Sequence, residues 1–111
     1  MKRSISTRKK MVPLMTLEDF KAARKVLDGV IASTHLIPSP AFSRATGNHV
    51  YLKPENMQIT GAYKLRGAYF KISTLTDEEK ARGLITASAG NHAQGVAYAA
   101  QKAGVEATIV M

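Results

Sequence analysis

The stretch "LITASAGNHAQGVAYAAQKAGVEATIVM", residues 84–111, decides the fold. Its first segment, "LITAS", is short and apolar, as a buried strand is. "NHAQGVAYAAQKAG" follows with apolar residues at helical spacing and Gly104 as its stop. "EATIVM" then returns to the β-branched composition of a strand. Strand, helix and strand in so short a span form a βαβ unit, because parallel neighbours need a crossover and the helix supplies it. The expected fold class is therefore α/β with a parallel sheet. In such sheets ligands gather beyond the carboxyl ends of the strands, where helix N-termini offer free N–H groups and a partial positive charge. "SAGNHAQG", residues 88–95, stands at that place. Ser88, Gly90 and Asn91 bring a hydroxyl, a permissive backbone and a side-chain amide. The pattern lacks both the Gly-Lys-Ser/Thr of a phosphate loop and the G-x-G-x-x-G of a dinucleotide site, so it suits a carboxylate or a polar ring substituent better than a polyphosphate. The architectural alternative is a capped turn in which Gly95 lets helices pack closely.

A second stretch, "TGAYKLRGAYF" at residues 60–70, reads as a helix capped by Thr60 and running to about Ser73, yet it sets two glycines around one lysine. On a helix Lys64 has Thr60, Gly61, Gly67 and Ala68 as neighbours three and four positions away, and all four are small. Each interior Gly costs roughly 0.5 to 1 kcal/mol relative to Ala, so a compensating use is expected. Room for a bulky group attached at, or lying against, the Lys64 amine is that use. The first turn of a helix also disfavours an ammonium and favours a reactive free amine. Arg66 faces other neighbours, Ala62, Tyr63, Tyr69 and Phe70, and is expected in a structural ion pair or packed along its stem.

Upstream, Thr16 with Asp19 three residues on predicts a capped amphipathic helix carrying Leu17, Phe20, Leu27 and Ile31 to about Val30. "SPAFSRATG" predicts a short helix with Ser39 as cap, Pro40 at its first position and Gly47 beyond its end. "HVYLK", residues 49–53, predicts a strand stopped by Pro54. Thr76 and Glu79 predict a further capped short helix that Gly83 ends. His35 and His49 lack metal-ligand spacing and are expected to be structural or solvated, so no metal site is expected.

The 111 residues carry a net charge of +8, but Lys2, Arg3, Arg8, Lys9 and Lys10 supply five of those charges, leaving +3 over the other 101 residues. No basic stripe interleaved with aromatics follows, which argues against a nucleic-acid partner. With no cysteine there is neither a disulfide framework nor thiolate chemistry, in keeping with a cytoplasmic protein. The start "MKRSISTRKKMVPLM" has a basic opening, but its apolar stretch is short, broken by Pro13 and followed by Glu18 and Asp19. It is expected to be a disordered tail over residues 1–15 rather than a secretion signal. No apolar run approaches the roughly 18 residues of a membrane span.

From "YLKPENMQITGAYKLRGAYF" to "SAGNHAQGVAYAA" the chain resembles threonine ammonia-lyase, also called threonine dehydratase, of the fold type II pyridoxal-phosphate enzymes. The resemblance covers roughly residues 16–111. It implies part of a three-layer, tryptophan synthase beta-like fold, with residues 16–74 opening the large cofactor domain and residues 75–111 opening the small substrate domain. It also implies that Lys64 carries pyridoxal 5'-phosphate as a Schiff base, that Asn91 contacts the ring hydroxyl, and that Ser88, Ala89, Gly90 and His92 grip the substrate carboxylate. The continuation Leu65-Arg66-Gly67-Ala68 sets this group, with serine racemase, apart from cysteine synthases, where an Asp usually follows the lysine. Ala62-Tyr63 departs from the family's usual Ser-Phe. The implied activity is β-elimination on L-threonine or L-serine, giving 2-oxobutanoate and ammonia from threonine, in a homo-oligomer without membrane or nucleic-acid partners. Serine racemisation is the alternative within the enzyme class. The other alternative is a truncated, non-catalytic fragment, since family members are about three times as long and carry a glycine-rich phosphate loop that this chain lacks.

Overall fold

Local signals set most of the element boundaries. The computed structural model describes residues 14–111. The tail expectation therefore falls outside the described residues except at Leu14 and Met15, both exposed. Helix α1, Leu17–Leu27, opens on the expected capping box: the Thr16 hydroxyl accepts from the Asp19 N–H, and the Asp19 carboxylate accepts from the Thr16 N–H. It ends three residues earlier than periodicity suggests, because Gly29 turns the chain at φ +72°. Helix α2, Pro40–Thr46, has Ser39 as its cap and Gly47 at its end in the left-handed region. The expected strand at residues 49–53 shrinks to β2, Tyr51–Leu52, paired antiparallel with β1, Ile37–Pro38, a partner with no clear sequence signal.

A 3-10 turn at Glu55–Met57 leads towards α3, Lys64–Ser73. Here the structure corrects the expected helix. Thr60 is not its cap and Gly61 is not helical: Gly61 takes φ +70° in a turn closed by its N–H donating to the Gln58 carbonyl at 2.7 Å. Glycine is favoured in that left-handed region. The Thr60 hydroxyl is buried with no hydrogen-bond partner among the described residues. Lys64 is consequently the first helical residue rather than the fourth, with Tyr63 as a cap that gives no side-chain bond.

Helix α4, Asp77–Ala81, keeps the Thr76–Glu79 capping box. Strand β3, Leu84–Ala87, helix α5, Asn91–Ala103, and strand β4, Ala107–Val110, complete the βαβ unit, and β3 pairs parallel to β4 from Leu84 opposite Ala107 to Ala87 opposite Val110. The strands are not buried throughout. Leu84 and Thr86 are half-buried on the α5 side, whereas Ile85 remains 76% exposed, since no described element covers that face.

The core lies between α3 and α5. Leu65, Ala68 and Ile72 meet Val96, Ala99, Ala100 and Val105, drawing residues from both sides of position 74 into one cluster. Leu65 is fully buried, a contribution of about 1.5 to 3 kcal/mol, while the alanines let the helix backbones approach.

Candidate active site

Two helix starts define the site. Lys64 opens α3 and Asn91 opens α5, and neither helix has a side-chain cap. Each thus presents N–H groups without an intrahelical partner together with the positive end of its dipole. The starts are held together by Gly95. A Cβ at that position would lie 3.1 Å from the Leu65 nitrogen and 3.2 Å from the Lys64 carbonyl carbon, so α5 touches the backbone of the lysine turn. Residues four apart share a helix face. Asn91 therefore stands one turn before the contact, on the face of α5 that meets Lys64. The anion-site and close-packing alternatives for residues 88–95 are compatible: Gly95 makes the packing, and the residues before it line the helix start.

Ser88 is half-buried at the end of β3, where its N–H donates to the Val110 carbonyl at 2.9 Å and its hydroxyl accepts from the Gly90 N–H at 3.3 Å. Ala89, Gly90, Asn91 and His92 are exposed. Lys64 is exposed too, with its Nζ 5.0 Å from the centre of the Tyr63 ring, so the tyrosine at this position sets a cation over its face. A methyl added at Gly61 or Gly90 would meet no neighbouring atom within 4 Å, which leaves open space beside the two helix starts, while the space beside Gly67 belongs to a cleft between α1 and α3.

Behind Lys64 is a polar cluster that the sequence does not disclose. The Arg66 guanidinium makes a two-pronged pair with Glu55, Nε to Oε2 and Nη2 to Oε1, each 2.8 Å. The Thr34 hydroxyl donates to Glu55 Oε1, and Lys53 Nζ donates to the Thr34 carbonyl at 2.5 Å. Hydrogen bonding to Arg66 is the main reason that the Glu55 carboxyl drops from 4.5 to about 2. Gln58, 4% exposed, accepts from the Ala32 N–H at 2.7 Å and donates to the Ala32 carbonyl at 3.0 Å. The expectation of a structural ion pair for Arg66 holds, but its partner lies eleven residues upstream. "KPENMQ" carries the only hint, with polar residues crowded just after a strand.

The cleft between α1 and α3, about 720 Å³, lies beside Phe20, Leu27 and Phe70, and it reaches Thr34, Lys53, Arg66 and Gly67 of the polar cluster and the α3 start. Among the described residues no group of His, Asp and Glu is arranged to hold a metal ion. No helix among them is long and apolar enough to cross a membrane.

Residues 27–111 match the family described as "Pyridoxal-phosphate dependent enzyme". The chain belongs to this family. It is 55% identical over 98 residues to the L-threonine ammonia-lyase of Thermotoga maritima, a match covering 88% of this chain and 24% of that protein. Among solved structures it resembles the threonine deaminase of T.th., with 43% identity and a TM-score of 0.72 over 87% of this chain and 34% of that one. It also resembles the serine racemase of Dictyostelium discoideum, with 36% identity and a TM-score of 0.78 over 85% of this chain and 31% of that one. The pyridoxal-phosphate family chain thus spans about a quarter to a third of the length of these relatives and matches their fold in part. Its donor set fits the family's cofactor: a primary amine for the aldehyde, an amide at the neighbouring helix start for a ring oxygen, and open space beside Gly61 and Gly90.

Proposed function

We propose that this chain is the N-terminal, cofactor-attaching portion of a pyridoxal-phosphate dependent threonine ammonia-lyase that also accepts L-serine. The observation that carries the proposal is the meeting of the Lys64 and Asn91 helix starts through Gly95. When bound, the cofactor supplies an electron sink for carbanion chemistry at the amino acid's Cα. Lys64 Nζ would hold the cofactor through its aldehyde and, as a free amine, would take the Cα proton, and the Asn91 amide would donate to the ring oxygen. The Ser88 hydroxyl and the free N–H groups at the start of α5, flanked by Ala89, Gly90 and His92, hold the substrate carboxylate. Loss of the β-hydroxyl and hydrolysis convert threonine to 2-oxobutanoate and ammonia. The activity is proposed for a protein that contains these residues together with the segments that the relatives have in addition; these residues alone bind the cofactor weakly and do not turn over substrate. The serine racemase likeness favours one second reading, proton return to Cα in place of elimination.

The test is reduction with borohydride in the presence of pyridoxal phosphate, followed by peptide mapping of the full-length protein. Label is expected on Lys64. Label on another lysine with Lys64 unmodified refutes the assignment, and the products formed from L-threonine and L-serine separate elimination from racemisation.

A further inference from the structure

Lys64 is anchored on both sides along the chain, and both anchors end on one short loop. Upstream, the buried Gln58 side chain bonds twice to the backbone of Ala32. Downstream, Arg66 is gripped by Glu55, which in turn accepts from Thr34, two residues beyond Ala32. Glu55 and Gln58 flank a single 3-10 turn, so the turn carrying Gly61 and the first turn of α3 have their ends tied to residues 32–34. Gly95 closes on the same helical turn from the α5 side. The pair is partly buried, and a pair that served stability alone could be replaced by apolar side chains of similar volume at little cost. What a carboxylate–guanidinium fork adds is direction, because two parallel bonds fix the rotation of the groups that they join.

We propose that Glu55 and Thr34 are positioning residues for Lys64, acting through the Arg66 guanidinium on the first turn of α3. The fork holds that turn in one rotation, so that Lys64 Nζ leaves the helix start towards the Asn91 side. Glu55 remains ionised well below neutral pH, which keeps the grip constant where amino-acid chemistry takes place. The inference deepens the assignment of Lys64 as the attachment lysine and rests on it.

The experiment is trace acylation of the folded full chain with acetic anhydride at neutral pH, with mass spectrometry giving the labelling of Lys64 relative to Lys71 at the far end of the same helix. Glu55→Gln removes the charged fork while keeping the size, and it is expected to change this ratio by about threefold or more, since small displacements of a reacting group alter its rate strongly. Arg66→Lys keeps the charge without the fork and should change it similarly. The ratio of Lys102 to Lys71 should stay constant in both. An unchanged Lys64 ratio in folded variants overturns the inference, even where thermal stability falls, because the pair is then structural alone. If circular dichroism shows either variant unfolded, Thr34→Ala, which leaves both ion-pair partners in place, is measured instead; a smaller shift in the same direction supports the inference and no shift overturns it. The ratio needs no cofactor, so borohydride labelling away from Lys64 would sink the functional assignment without deciding this one.

Discussion

Gly95→Ala tests the contact on which the site depends. The added methyl would sit 3.1 Å from the Leu65 nitrogen, 3.2 Å from the Lys64 carbonyl carbon and 3.4 Å from the Leu65 Cα. All three are backbone atoms, so no side chain can rotate away and the helices must separate by several tenths of an ångström. Overpacking of this kind costs about 1 to 3 kcal/mol. Against it stands the gain from replacing a helical glycine by alanine, about 0.8 to 1 kcal/mol. Gly67 isolates that gain, because it is also helical and its methyl would meet nothing within 4 Å. Gly67→Ala should stabilise the fold, and Gly95→Ala should fall below it by the steric cost, about 1 to 3 kcal/mol. In urea unfolding followed by circular dichroism, that difference corresponds to midpoints roughly 1 M apart. Equal midpoints for the two variants would refute the close approach of α5 to the lysine turn.

Three further outcomes are expected. Asn91 is exposed at the start of α5, so in a full-length protein containing it Asn91→Ala should leave stability unchanged while altering the bound cofactor's absorbance and raising the proposed elimination barrier by about 1 to 3 kcal/mol; full activity with an unaltered spectrum would dismiss its role. The folded-state carboxyl of Glu55 lies below its ordinary 4.5, at about 2, so its contribution is complete above pH 4.5 and disappears as the pH falls towards 2. With partial exposure of the pair discounted, acid titration of stability should show a loss of about 1 to 3 kcal/mol in that window for the parent protein and a much smaller one for Glu55→Gln. Finally, Ile85 and Val110 stand exposed on the β3–β4 pair, so these residues expressed alone should self-associate, and a monodisperse, cooperatively unfolding monomer on size exclusion would contradict that.

Much of this was legible where local chemistry sets the structure. The capping boxes at Thr16 and Thr76, the Ser39-Pro40 start and the Gly104 stop are written in side chains that bond to nearby backbone, and each appears where its residues fall. The βαβ unit was legible because only a crossover can join parallel strands. The start of α3 was misplaced because a glycine in a helical pattern is indistinguishable from a glycine in a left-handed turn until the turn's closing bond, Gly61 to Gln58, is known. The position of Asn91 at a helix start followed from its motif, whereas the Thr34–Glu55–Arg66 cluster depends on residues up to 32 positions apart and leaves no periodic trace. The exposure of Ile85 was hidden for a related reason: composition announces which residues are apolar, not whether a neighbour arrives to cover them.

The small residues between α3 and α5 bear on motion as well as on packing. Ala68, Ala99 and Ala100 are almost wholly enclosed, and Gly95 brings main chain against main chain, so at this crossing no side chain stands between the two backbones. A shift that pressed the two helices closer would drive the Gly95 main chain into that of Lys64 and Leu65, so the lysine and asparagine helix starts resist being brought nearer to each other at this crossing.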